Sequence, residues 1–174
     1  MISFANTIEI DREPADVYAY VADLEHTPEW NWAITSSEKI TPGPAAIGTQ
    51  YRQTRSAPRP AIEVIEVIEI TGLEEGRRVD VAGRLGSFRA RLVYELVASP
   101  TGTRLINSVE LDPPVPLGPF GAMLGSRVRT SVAENLNVLK QLLEGQSGLL
   151  AQATAKRPLV GQPRARGIHQ FWSS

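Results

Sequence analysis

"TIEIDREPADVYAYVADLEHTPEWNW", residues 7–32, decides how the rest of the chain reads. It opens in a strand: over residues 3–11, Phe4, Ile8 and Ile10 alternate with polar partners. Pro14 suits the first position of a helix, with Glu13 and Asp16 near the positive end of its dipole. Val17, Tyr18, Val21 and Leu24 then recur at helical spacing. Pro28 is expected to end or interrupt whatever helix continues, because proline lacks the backbone donor and clashes with the preceding turn. Trp30 and Trp32 follow at once, in a stretch too broken for a core helix or strand.

Downstream, strands separated by Gly/Pro turns are predicted over residues 33–40, 48–56, 61–71, 77–83, 86–98 and 104–112. The segment "PPVPLGPFG", 113–121, breaks the strand pattern. After it, residues 122–145 read as one long helix, with Val128, Val132, Leu136, Leu139 and Leu143 on a stripe and Gly145 as the expected stop. The fold class is therefore α+β: a curved seven-stranded antiparallel sheet, two short helices after the first strand, and a long C-terminal helix that supplies the apolar partner of the sheet.

Composition bounds the function. The 174 residues allow one domain with a sizeable core. Cysteine is absent, so thiol and disulfide chemistry are excluded. Neither a signal peptide nor a transmembrane run is apparent, and a cytoplasmic location is expected. All 19 acids lie at or before Glu144. Residues 1–145 thus carry a net −5 (14 basic minus 19 acidic), and the tail 146–174 carries +4 from Lys156, Arg157, Arg164 and Arg166. The reading is a ligand-binding domain over 1–145 and a basic, flexible tail over 146–174. The basic residues of the domain form no stripe for nucleic acid, and a homodimer is left open.

The pieces "P-x-x-V-Y" (Pro14–Tyr18), "D-x-x-x-x-P-x-W" (Asp23–Trp30) and "G-T" (Gly48–Thr49) resemble the opening of the START/polyketide-cyclase-like superfamily. The resemblance implies a helix-grip fold in which the sheet wraps the last helix and an apolar cavity remains between them. It implies a small hydrophobic ligand, lipid or polyketide-like. The alternative it brings is a cyclase/dehydratase-type enzyme using the same cavity.

Strand alternation and the stripe of the helix nominate the wall: Tyr51, Gln53, Phe88, Leu92, Tyr94, Asn107 and Val128. Trp30 and Trp32 are expected to seal one side of the entrance, and Leu117, Phe120 and Met123 the other. In "IEVIEVIEI" the more apolar set is even-numbered and puts Glu66 inward. A carboxylate buried there without a cation would suit proton transfer, which makes Glu66, Tyr94 and Asn107 the catalytic candidates if the protein is an enzyme. His26 and His169 lie far apart, so no metal site is expected, and no cofactor loop of the "G-x-G-x-x-G" or Walker type is present. His26 reads as a rim residue.

Overall fold

The computed structural model describes residues 1–58, 61–118 and 120–155. Strand β1 (Ile2–Ile10) is followed by helix α1 (Pro14–Ala22), a 3-10 turn (Leu24–His26) and helix α2 (Thr27–Trp30). Strands β2 (Ile34–Lys39), β3 (Gln50–Pro58), β4 (Ala61–Glu74), β5 (Arg78–Leu85), β6 (Phe88–Ser99) and β7 (Gly102–Asp112) come next, and helix α3 (Phe120–Ala155) ends the described chain. The strands form one antiparallel sheet in the order β1-β7-β6-β5-β4-β3-β2. β1 and β2 therefore stand at opposite edges, and α1 and α2 carry the chain between them. Irregularities in pairing at Ile34/Ser36 and Ile70/Gly72 accompany the bending of the sheet.

Two sequence expectations change here. Pro28 does not end a helix but sits in the first turn of α2, where its missing N–H costs nothing. Asp23 instead closes the gap after α1, its carboxylate accepting from the Glu25 backbone N–H at 3.1 Å. Helix α3 begins at Phe120 and does not stop at Gly145. A lone glycine costs a helix only about 1 kcal/mol, which its neighbours override. At ~1.5 Å per residue the helix is roughly 54 Å long. The end of the basic tail, with His169, lies outside the described residues.

Period-two burial is clear on the concave face. Thr103, Leu105, Asn107, Val109 and Leu111 of β7 are all buried, and Ala90, Tyr94 and Leu96 of β6 join them. The convex face carries cross-strand ion pairs instead, Arg78 with Asp80 at 2.6 Å and with Glu95 at 3.1 Å. Two apolar clusters lie between sheet and helix. One gathers α1, Trp30, Tyr51 and the later α3 residues Leu136, Leu139 and Leu143. The other gathers Ile2, Ala90, Val109 and Leu111. Leu92 and Val132 pack against both. The hairpin from β6 to β7 needs Gly102: φ is +129°, and a Cβ there would stand 2.4 Å from the Ile10 carbonyl oxygen.

Candidate functional site

A cavity of about 450 Å3 lies between the two clusters. Its floor is the concave sheet: Ile68 of β4, Val81 of β5, Leu92 of β6, and Val109 and Leu111 of β7. Its roof is the middle of α3, where Arg127, Val128, Ser131, Val132 and Asn135 fall on one face at helical spacing. The hollow has a local cause. Gly83 and Ala90 are cross-strand partners in the floor, so two adjacent strands offer almost no side-chain volume there. A Cβ at Gly83 would come within 2.7 Å of Ile68 Cγ2. A concave sheet lined by small residues cannot close on a straight cylinder, and space is left.

Of the residues nominated from sequence, Trp32, Gln53, Leu92, Tyr94 and Val128 stand in this wall. Trp32 is 59% exposed, at the mouth. The others are placed differently. Trp30 is buried in the first cluster, its ring perpendicular to that of Tyr94 at 6.3 Å, so it plugs the core behind the cavity. Tyr51 is buried in that cluster as well, where strand alternation alone could not tell core from cavity. Phe88 and Leu117 pack on the second cluster. Leu117 also lines a separate groove of about 670 Å3 at the rim, where Met1–Phe4 meet the 113–129 segment. Phe120 and Met123 lie on exposed turns of α3, not on a lip over the cavity, because the helix starts earlier than its sequence suggests. Asn107 is buried on the concave face outside the wall; its Nδ2 donates to the Val93 carbonyl at 3.4 Å.

Glu66 points inward and is buried, as the even-numbered pattern indicates, but it does not line the cavity. Its carboxylate is engaged. Arg55 donates from Nε at 3.3 Å, and the Gly86 backbone N–H donates to the other oxygen. The cation that sequence could not supply comes from the neighbouring strand, since β3 and β4 pair with Gln53 opposite Glu66. Glu66 thus ties β3 and β4 to the β5–β6 turn.

Polar groups in the wall are few. Gln53 donates from Nε2 to Ser37 Oγ at 3.2 Å. Asn135 donates from Nδ2 to Asn31 Oδ1 at 3.0 Å, bracing α3 against the segment after α2. Burial holds the Tyr94 hydroxyl well above the ordinary phenol range, so it stays protonated and can donate. His26 is outside the wall, stacked on Tyr20 at 4.4 Å and bonded to Glu29 Oε1 at 2.7 Å. That contact, with the Tyr20 hydroxyl, lowers the Glu29 pKa. Among the described residues no three His, Cys, Asp or Glu side chains are grouped to hold a metal ion. No helix described is long and apolar enough to cross a membrane.

Sequence reasoning missed Arg55, Arg84, Arg127 and Asn135, all in the wall. For Arg127 and Asn135 a signal existed: each sits beside or one turn from the Val128–Val132 stripe. Arg55 and Arg84 had none, because their neighbourhood depends on strand register.

Residues 1–144 match the model of a family described as polyketide cyclase/dehydrase and lipid transport. No curated protein matches the chain. Among solved structures, the chain is similar to the protein TTHA0849 from Thermus thermophilus, with 22% identity, TM-score 0.60, and 87% of this chain and 99% of that one covered. It is similar to a STAR-related lipid transfer protein from Xanthomonas axonopodis, with 18% identity, TM-score 0.63, and coverage of 81% and 85%. It is also similar to the di-domain ARO/CYC StfQ of the steffimycin biosynthetic pathway, with 11% identity, TM-score 0.70, and coverage of 84% and 52%. At these identities the likeness is one of fold.

Proposed function

The chain belongs to the polyketide cyclase/dehydrase and lipid transport family, and from that premise we propose that it binds a hydrophobic or aromatic small molecule, lipid or polyketide-like, in the inner cavity. The observation that carries this reading is the 450 Å3 hollow walled by Ile68, Val81, Leu92, Val109 and Val132. That volume falls within the roughly 300–1,000 Å3 typical of small-molecule sites, and apolar walls with few polar groups are their usual make-up. Burial of apolar ligand surface at about 25 cal/mol per Å2 is enough for micromolar affinity without any catalytic group. In this reading residues 1–145 do the binding and the basic tail takes no part.

A cyclase/dehydratase activity in the same cavity is the second reading, and one residue favours it. Tyr94 stands in the wall as a protonated phenol, placed to donate to a carbonyl oxygen of a folded substrate. Glu66 is held by Arg55 and Gly86, and Asn107 lies outside the wall, so neither contributes a free base there.

Native mass spectrometry of protein isolated from its own host tests the binding reading. A bound small molecule is expected on the wild type and absent from Val128→Trp, which fills the cavity from the helix side. Retention of the molecule by Val128→Trp would refute the cavity as its site. Conversion of a polyketide-like substrate, lost in Tyr94→Phe while binding persists, would instead establish the enzyme.

A further inference from the structure

The entrance carries a charge pattern that apolar walls do not require. Three guanidinium groups, Arg55, Arg84 and Arg127, stand in the cavity wall, and no carboxylate does. Elsewhere on the sheet, arginines meet acids: Arg78 and Arg91 share Asp80, Arg104 pairs with Glu9, and Arg52 with Glu38. At the cavity only Arg55 is matched, by Glu66. Arg84 has one side-chain hydrogen bond among the described residues, from Nε to the Gly86 carbonyl at 3.5 Å. Arg127 is exposed and pairs with no acid among the described residues. The two come from opposite layers, Arg84 from the end of β5 and Arg127 from α3, so they face the same opening from the floor and from the roof. Residues 1–145 carry a net −5 (14 basic minus 19 acidic), so a positive opening is not a consequence of bulk composition.

Resting on the cavity reading above, we propose that the ligand is an anionic amphiphile, its apolar body in the cavity and a carboxylate or phosphate group at the mouth between Arg84 and Arg127. Guanidinium groups match such oxyanions in geometry as well as charge. A neutral ligand of the same shape would leave both arginines with water alone.

Isothermal calorimetry with dodecanoate, dodecyl phosphate, dodecanol and dodecyltrimethylammonium, each below its micelle concentration, separates the terms. The two anions are expected to bind at least about tenfold more tightly than dodecanol, the size of one charge-assisted hydrogen bond, with the ammonium compound weakest. In the Arg84→Gln/Arg127→Gln double variant, shown to be folded by circular dichroism, the advantage of the anions over dodecanol should fall below about threefold. If the anions and dodecanol bind equally to the wild type, or if the advantage survives the double substitution, the charge proposal is overturned and the cavity reading stands. If none of the four binds, both fall. Preference for dodecanoate over dodecyl phosphate, or the reverse, tells which oxyanion the mouth is shaped for.

Discussion

Glu66→Ala separates a structural carboxylate from a catalytic one. The Glu66 side chain is 5% exposed and that of Arg55 is 25% exposed, with 3.3 Å between Nε and Oε2. Breaking a fully buried pair costs about 3–5 kcal/mol. Arg55 is a quarter exposed, so water recovers part of that loss, and the exposed Gly86 N–H is rehydrated as well. The net cost is about 2 kcal/mol, or a fall of roughly 6 °C in Tm for a domain of this size. Glu66→Gln keeps an acceptor for Gly86 and loses only the charge, so it should cost about 1 kcal/mol. Urea denaturation followed by circular dichroism measures both, and a double-mutant cycle with Arg55→Ala should return a coupling of about 1–2 kcal/mol. A second readout follows from the mouth. Without Glu66, Arg55 becomes a third unmatched cation, so dodecanoate should bind more tightly to Glu66→Ala than to the wild type. If both Glu66 variants lie within about 0.5 kcal/mol of the wild type, the carboxylate is not held as described, and its burial needs another explanation.

Other substitutions probe the frame around the cavity. Leu139→Ala, fully buried in the first cluster, should cost about 2.7–5 kcal/mol in urea denaturation, since the gap left under α3 cannot fully collapse. Gly102→Ala should lower Tm by several degrees, because the new methyl would meet the Ile10 carbonyl in a backbone conformation that L residues rarely adopt. Asp80 has its pKa lowered from 3.8, first by the hydrogen bond from Arg78, against the opposing effect of its own burial. A carboxylate depressed in the folded state stabilises above its unfolded pKa and loses that contribution as pH falls through the folded value. The stabilisation should therefore be intact above about pH 4 and fade below it. Asp80→Asn should flatten the dependence of Tm on pH in that window, and an unchanged profile would remove Asp80 from the account.

Much of the fold was legible because local rules and burial agreed. The alternation in 88–96 and 105–111 named the concave face, and the Val128–Leu143 stripe named the covering face of the helix, as the structure has them. These depend on period alone, which each segment carries within itself. Helix limits were less legible: proline at 28 and glycine at 145 are local signals that packing overrode. Which inward residues meet ligand space was not legible at all. Tyr51 and Gln53 share a strand face, yet one is core and the other cavity wall. The hollow arises where Gly83 meets Ala90 across strands, and the cation beside Glu66 comes from a strand eleven residues away in sequence. Periodicity sorts side chains between two faces of one element. Cavities and ion pairs depend on register between elements and on the curvature of the whole sheet, and those exist only once the chain has folded.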